Sequence, residues 1–300
     1  MTETCRVCGS RRVQPRFPSA DPGLRLCREC GVIFREGAVG TEELRCIYDE
    51  NYYRNTWPGS LGKFFSDFDP ELHHKTKFML RQLRELSRRC GGPGRILDVG
   101  CANGVFVWLA AREGWQAEGL EVSPFAAAWG RKQFGVKISE EDLHNISPDP
   151  GYDAITFWDT IEHLPDPAAT LHAAFARLRP GGFVAVLTPD TDSLINHLVH
   201  SAHRLLPGRT RTLIEKLYHQ DHLSFFNRGS MAQALLAAGF TINWMESYDE
   251  DPADTETAGL TRAALRLVGL AAALLQRRHE LLVYAQRPAG RSGRREESKK

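Results

Sequence analysis

The sequence has 300 residues, of which 42% are hydrophobic and 25% charged, and its formal net charge is +1. These values describe a folded chain that is long enough for one large and one small domain. The balanced charge argues against a general nucleic-acid-binding surface, although recognition of a specific RNA end stays open. The N-terminus lacks a leader pattern and no apolar run reaches membrane-spanning length, so we expect a cytoplasmic protein of undetermined oligomeric state.

Residues 1–35 contain two Cys-x-x-Cys-Gly motifs, at 5–9 and 27–31, joined by a short segment that contains prolines. Two such pairs supply four thiolates, which complete a tetrahedral zinc shell and leave no position open for a substrate. The alternative, four unrelated buried thiols, does not account for the glycine after each second cysteine, which frees backbone amides to turn toward sulfur. The sequence therefore predicts a structural zinc ribbon with the ligands Cys5, Cys8, Cys27 and Cys30.

Residues 36–69 form an aromatic connector with few positions in a helical pattern. Its aromatic residues include Tyr48, Tyr52, Tyr53 and the group Phe64, Phe65 and Phe68. Such a segment either packs onto the neighbouring domain or covers a ligand pocket as a lid. Both interpretations stay open on the sequence alone.

From residue 70 to residue 288, helical and strand patterns alternate along the chain. The predicted helices are 70–89, 105–113, 124–134, 168–178, 229–238 and 258–277. The predicted strands are 95–99, 116–120, 136–138, 154–157, 183–188, 240–247 and 280–285. Because strand, helix and strand in succession imply parallel neighbours, the predicted class is α/β, with a doubly wound, Rossmann-like, seven-stranded sheet. The polar tail 289–300 is expected to be disordered.

A glycine-rich turn follows the first of these strands, in the segment Leu97-Asp98-Val99-Gly100-Cys101-Ala102-Asn103-Gly104. Its glycines allow a ligand to approach backbone amides at a helix N-terminus. The turn lacks the Gly-Lys-Ser/Thr ending of a P-loop and the G-x-G-x-x-G spacing of dinucleotide folds. Glu121 ends the next strand, where a carboxylate can accept hydrogen bonds from both hydroxyls of a ribose.

In these residues the chain resembles the class I S-adenosylmethionine-dependent methyltransferases, over roughly residues 70–288. The resemblance implies that Asp98, Gly100 and Gly104 line the methionine end of the cofactor and that Glu121 binds the ribose. Ala102 stands where the family's turn has its middle glycine. The other residues assigned to the cofactor site are Asp142 and Leu143, which would border the adenine, together with Cys101 and Trp158.

The loop after the fourth predicted strand carries Asp159, Glu162 and His163, whose i, i+3 and i+4 spacing brings them to one side of a helical turn. With His222 downstream, the loop resembles a branch of the family that includes ubiquinone-biosynthesis O-methyltransferases and methyltransferases of small-RNA 3′ ends. That resemblance implies that the four residues hold a divalent cation such as Mg²⁺, which would acidify an acceptor hydroxyl. Two alternatives stay open, namely a metal-free base formed by His163, alone or with His222, and purely structural roles.

Two further segments bear on the acceptor. The insertion 189–228 either selects the acceptor or is a solvated helical cover, and among its leucines it carries His197, His200, His203, Arg204, Arg209 and Arg211. The apolar helix 258–277 belongs to the core, to a dimer interface or to a membrane surface.

These features predict an enzyme that methylates an oxygen of a small molecule, a sugar or a glycan precursor. One alternative is methylation of an RNA end or modified nucleotide, with the ribbon and Arg204, Arg209 and Arg211 contacting phosphate. Another is a non-catalytic protein that keeps the cofactor pocket as an interaction module.

Overall fold

The computed structural model of the protein describes residues 4–37, 40–53, 74–149, 151–249 and 268–289. The strands are β1 (Val13–Phe17), β2 (Asp21–Cys27), β3 (Ile33–Arg35), β4 (Arg95–Val99), β5 (Gln116–Leu120), β6 (Lys137–Ser139), β7 (Tyr152–Trp158), β8 (Leu178–Pro189), β9 (Ser224–Phe225), β10 (Thr241–Tyr248) and β11 (Glu280–Gln286). The helices are α1 (Thr41–Ile47), α2 (His74–Cys90), α3 (Val105–Arg112), α4 (Pro124–Phe134), α5 (Pro167–Arg177), α6 (Leu194–Leu205), α7 (Pro207–Leu217) and α8 (Arg228–Ala237). Residues 268–274 are helical as well.

The main sheet has seven strands in the order β10-β11-β8-β7-β4-β5-β6. Strand β11 runs antiparallel to β8 and β10, and the other neighbouring pairs are parallel. The chain moves from β4 outward to β5 and β6, then returns to place β7 on the other side of β4. This is the predicted doubly wound sheet, and a reversal of this kind opens a crevice outside the carboxyl ends of β4 and β7.

All of the main-sheet strands predicted from the sequence are present, and most of their bounds differ by one or two residues. Strand β8 is the clearest exception, because it runs through 12 residues where the pattern predicted only 183–188. Gly181 has a φ of +85°, and the register of β8 against β7 shifts between Tyr152 and Ala154, so the strand continues past an irregularity.

The sheet of the ribbon includes a strand from outside the ribbon. Strands β1, β2 and β3 form an antiparallel sheet whose fourth strand is β9, from the predicted larger domain. Ile33 pairs with Phe225, and Phe34 pairs with Ser224. The predicted ribbon and the predicted larger domain therefore share one sheet.

The insertion forms a helical hairpin of α6 and α7 that covers this smaller sheet. Leu24 of the ribbon, Ile214 of α7 and Tyr218 after it are all buried in one cluster. The hairpin also exposes apolar side chains, among them Leu205, which is 80% exposed. It is therefore both a cover for the ribbon and a solvent-facing surface.

Of the predicted helix 258–277, only the part from residue 268 onward lies within the described residues. There Ala272 is buried, whereas Leu274 is 86% exposed, so membrane contact and a dimer interface both stay predictions. Phe64, Phe65 and Phe68, and the tail from residue 290, lie outside the described residues. Among the helices that the structure describes, none is long and apolar enough to cross a membrane.

Candidate active site

The glycine-rich turn joins β4 to the N-terminus of α3 through two left-handed glycines. Gly100 has a φ of +72°, and a Cβ there would lie 2.5 Å from Thr160 Cγ2. Gly104 has a φ of +76° and caps α3, and its Cβ would lie 2.7 Å from Ile138 Cδ1. Both positions therefore require glycine, because any side chain would be strained and would collide with a neighbouring strand or loop.

Ala102 also adopts a left-handed conformation, with a φ of +46°. Its backbone N–H donates a hydrogen bond to Glu121 Oε2 at 2.9 Å. The alanine that replaces the family's middle glycine thus keeps the glycine-like backbone and ties the turn to the end of β5.

Two buried carboxyl groups flank this turn. Asp98 accepts a hydrogen bond from Thr156 Oγ1 at 2.6 Å, and Glu121 accepts one from the Ser123 N–H at 2.8 Å. Burial raises the pKa of Asp98 to about 7, and it raises the pKa of Glu121 to about 7 as well. Buried carboxylates with few compensating charges favour a ligand that brings positive charge or hydrogen-bond donors.

These residues line a cavity of about 720 Å³ at the crevice between β4 and β7. Of the predicted cofactor residues, those in its lining are Asp98, Gly100, Cys101, Glu121, Asp142, Leu143 and Trp158. Gly104 lies behind them as the cap of α3. The described part of the aromatic connector also reaches this cavity, through Tyr48, Tyr52 and Tyr53.

The polar loop after β7 makes one turn of 3₁₀ helix, Ile161–His163. Glu162 is 1% exposed, and its Oε2 accepts a hydrogen bond from Thr188 Oγ1 at 2.9 Å. Burial, with a smaller contribution from the charge of Asp159, raises the pKa of Glu162 to about 8. The Glu162 carbonyl accepts a hydrogen bond from the Leu223 N–H at 2.8 Å, so this loop is fixed to the segment that carries His222.

His163 and His222 lie against each other in this cavity, with ring centroids 4.6 Å apart and ring planes nearly perpendicular. His163 Nδ1 is 2.7 Å from the Tyr48 hydroxyl and 3.0 Å from the Asp221 carbonyl oxygen. Burial lowers the pKa of both imidazoles. Potential ligand atoms of Glu162, His163 and His222 all lie within 4.8 Å of one another, a spacing that suits one divalent cation.

Asp159, the fourth residue of the predicted ligand set, lies outside this group. Its backbone is left-handed, with a φ of +49°, and its Oδ2 is 3.5 Å from Lys75 Nζ. The i, i+3, i+4 spacing brings Asp159 to the side of Glu162 and His163 only in a regular helical turn that begins at residue 159. The left-handed residue precedes the turn instead, so the Asp159 side chain is directed toward α2.

A model of the methyltransferase domain family matches residues 72–243. The chain belongs to this methyltransferase family. Among curated proteins it is similar to the ubiquinone biosynthesis O-methyltransferase of Bordetella bronchiseptica, with 28% identity over 62% of this chain and 78% of that protein. The corresponding protein of Azoarcus sp. is 26% identical over 63% of this chain and 88% of its own length.

Solved structures give the same fold for the methyltransferase. Magnesium protoporphyrin IX methyltransferase from Synechocystis PCC 6803, with bound SAH, aligns with a TM-score of 0.51 and 12% identity over 82% of this chain and 99% of that one. The [4+2]-cyclase SpnF aligns with a TM-score of 0.53 and 17% identity over 84% of this chain and 98% of that one. The family match and the curated relatives identify the chain as a class I S-adenosylmethionine-dependent methyltransferase. This confirms the activity class predicted from the sequence.

The methyltransferase holds its ribbon cysteines together as one cluster. Cys5 Sγ is 3.6 Å from Cys30 Sγ, and Cys8 Sγ is 3.6 Å from Cys27 Sγ. The four sulfurs lie within 4.8 Å of one another. The N–H groups of Gly9 and Gly31, both left-handed, donate to the carbonyls of Cys5 and Cys27. This four-cysteine cluster fits tetrahedral zinc.

Sequence reasoning did not select several residues of the cavity. Lys75 lies within a regular helical pattern and Thr160 within the polar loop, and neither belongs to a motif that indicates a ligand. His279 reaches the cavity from the start of β11, where no motif surrounds it. For Tyr48, Tyr52 and Tyr53 of the connector, aromatic character was the only feature of the sequence that indicated contact with a pocket.

Proposed function

We propose that this methyltransferase transfers the methyl group of S-adenosylmethionine to a hydroxyl of a small molecule, a sugar or a glycan precursor. The observation that carries the proposal is the convergence of Glu162, His163 and His222 in the cavity that also contains the glycine-rich turn. A transferase needs both a cofactor site and a group that activates the acceptor within reach of one another.

The residues around the turn fit the cofactor. Gly100 lines the cavity without a side chain, and the buried Asp98 and Glu121 offer negative charge to a ligand that carries a sulfonium and an amino group. Glu121 would accept the ribose hydroxyls, and Asp142 with Leu143 would border the adenine. S-Adenosylmethionine supplies an activated methyl group, and this chain supplies its alignment with the acceptor.

The acceptor end of the cavity fits a divalent cation. Glu162, His163 and His222 would hold it, and a cation there would lower the pKa of a bound hydroxyl. His163 Nδ1 can donate to the Asp221 carbonyl at 3.0 Å, which leaves Nε2 with its lone pair. An outer hydrogen bond of this kind is the usual support of a histidine ligand. Asp159, paired with Lys75, is not part of the proposed set.

The acceptor is tested by incubating the purified enzyme with labelled cofactor and an extract of its own organism. The extract is separated into small-molecule, glycan and RNA pools, and the labelled product is identified by mass spectrometry. A labelled methyl ether in the small-molecule or glycan pool is the expected result. Label confined to RNA would contradict the proposed substrate class, and binding of cofactor without any labelled product would favour a non-catalytic role.

The cation is tested with the zinc-loaded protein, because chelation would also remove zinc from the ribbon. We expect His222→Ala to weaken Mg²⁺ or Mn²⁺ binding, followed by calorimetry, by about 100-fold and to slow methyl transfer by roughly 100-fold or more. The matched control is His172→Ala, at an exposed histidine of α5, which should change neither. Unchanged methyl transfer in His222→Ala would contradict the proposed cation site. If transfer depends on His163 but the protein binds no cation, His163 acts as a metal-free base.

A further inference from the structure

A second cavity lies between the ribbon and α6. Its volume is about 210 Å³, and it is lined by Arg16, Phe17, Pro18, Ser19, His200, His203 and Arg204. None of the described residues lines both cavities. The described lining of the second cavity contains two arginines and two histidines but no carboxylate.

The aromatic ring of Phe17 organises these basic side chains. Its centroid lies 5.2 Å from that of His200 and 5.7 Å from that of His203. The Arg16 guanidinium lies over the same ring, with its Cζ 4.6 Å from the centroid. Ribbon and hairpin thus place one guanidinium and two imidazoles around one apolar ring, which holds them in place without an ion pair to Arg16 within the described part of the chain.

The hydrogen bonds of the two histidines leave a donor available to a ligand on His200. The Tyr218 hydroxyl is 3.0 Å from His200 Nε2, so His200 Nδ1 carries the proton when that hydroxyl donates. His203 Nδ1 donates to Thr210 Oγ1 at 2.9 Å, because that hydroxyl itself donates to the Leu206 carbonyl, so this proton is already used within the hairpin. Arg16 Nε has no hydrogen-bond partner among the described residues, although it is buried.

Several basic side chains lie close together at the second cavity. The pKa of His200 is lowered to about 4, first by burial and then by the charges of Arg16, His197, Arg204 and His203. The His197 imidazole contacts the Arg277 guanidinium, with Nε2 and NH1 2.7 Å apart, and so brings a further cation close by. An anion bound here would relieve this mutual repulsion.

We infer that the second cavity is a binding site for a phosphate group, free or carried by a small molecule, held by Arg16 of the ribbon and by Arg204 and His200 of the hairpin. A doubly charged tetrahedral anion suits two guanidiniums and an imidazole that approach from different elements. A carboxylate, planar and singly charged, would use fewer of these donors. Because its ligands come from both elements, a bound phosphate also fastens the ribbon to the hairpin.

The test uses the full-length, zinc-loaded protein in a chloride buffer of constant ionic strength. It is titrated by calorimetry with inorganic phosphate, pyrophosphate and glycerol phosphate. We expect saturable binding, and we expect Arg204→Gln to raise the dissociation constant about tenfold or more, because it removes a charge-assisted hydrogen bond. Arg204 is exposed, so this variant keeps the fold, and Arg16→Gln provides a second measurement from the ribbon side.

The matched control is Arg209→Gln, which removes the same charge from an exposed position of α7 outside the cavity. Its dissociation constant should equal that of the unmodified protein. Absence of saturable binding, or an equal loss in Arg209→Gln, would overturn the inference, because the attraction would then be absent or non-specific. Tighter binding of glycerol phosphate than of inorganic phosphate would support a phosphorylated small molecule as the natural ligand, and equal binding would support the free anion.

Discussion

Ala102 places a side chain at a left-handed position of the cofactor turn. An alanine with a φ of +46° is disfavoured by about 1–2 kcal/mol relative to a right-handed one. Glycine removes that strain but loses more conformational entropy on folding, by roughly 0.5–1 kcal/mol. We therefore expect Ala102→Gly to leave the free energy of unfolding unchanged or to raise it by up to about 1 kcal/mol.

Urea unfolding followed by circular dichroism measures this effect. The control is Ala111→Gly in α3, at an exposed helical position, where glycine should lower the free energy of unfolding by about 0.5–1 kcal/mol. Equal destabilisation by both variants would contradict the left-handed strain at residue 102.

The paired carboxyl groups of Asp98 and Glu121 predict a pH dependence. Their pKa values of about 7 in the folded protein exceed the values of about 4 expected for unfolded chains. The folded, cofactor-free protein therefore binds more protons, and its stability falls as the pH rises from about 4 to about 7. Binding of the positively charged cofactor favours the ionised carboxylates, so its affinity should rise over pH 6–8 and protons should be released.

Calorimetric titrations with S-adenosylmethionine at pH 7, in buffers with different heats of ionisation, count the protons released. Glu121→Gln should lower both the affinity and the proton release. A binding enthalpy that does not depend on the buffer would contradict the predicted loss of protons from these carboxyl groups on cofactor binding.

At the scale of elements, the sequence allowed good prediction of the main sheet. Strands such as β4 and β11 are short apolar runs between turns and helices, and burial on both faces imposes that pattern. Strand β9 could not be predicted in the same way, since Ser224 and Phe225 form a strand only because β3 lies beside them. Local sequence carries no signal for a pairing between segments so far apart.

The candidate site likewise contains residues that the sequence predicts and contacts that it does not. The glycine turn with Glu121, and the cluster of Glu162, His163 and His222, have local motifs, and the structure brings them into one cavity. The exclusion of Asp159 depends on one backbone angle, and the contact of Tyr48 with His163 depends on how α1 packs. These features follow from tertiary structure, and whether the connector acts as a lid stays a prediction.

Arg35 of β3 supports the segment that carries His222. Its backbone N–H donates to the Leu223 carbonyl at 3.0 Å, and its guanidinium donates to the Tyr218 carbonyl at 2.6 Å and to Asp21 at 2.6 Å. We expect Arg35→Met to lower the free energy of unfolding by about 1–3 kcal/mol. Because the segment then loses an anchor, turnover should fall while the cofactor dissociation constant changes by less than about twofold.

Steady-state kinetics and cofactor titration separate these effects. The control is Arg12→Met, at an exposed arginine on the same ribbon that pairs with Glu29, where little change is expected because exposed ion pairs contribute little. A parallel loss of turnover and cofactor affinity in Arg35→Met would indicate general unfolding instead of a displaced His222.

On the scale of the whole molecule, the cysteine cluster should influence catalysis from a distance. Cys30→Ser is expected to release zinc and to lower the free energy of unfolding by roughly 3–5 kcal/mol, because a structural metal site is lost. Loss of the ribbon would also free β9, so methyl transfer should fall with it. Zinc content, thermal unfolding and turnover are measured together, with Cys46→Ser at an exposed cysteine of α1 as the control. Full activity in a zinc-free Cys30→Ser protein would contradict this dependence.

The pairing of β3 with β9 also has a consequence for the order in which the protein is made. Ile33 leaves the ribosome early, but its partner Phe225 follows only after most of the main sheet has been synthesised. The ribbon can bind its metal at once, yet its open edge must wait for that late strand. Contacts between such distant segments slow folding, so a nascent chain would expose an unpaired strand edge until His222 and its neighbours arrive. Completion of the small sheet and the meeting of His222 with Glu162 and His163 are then the same late event.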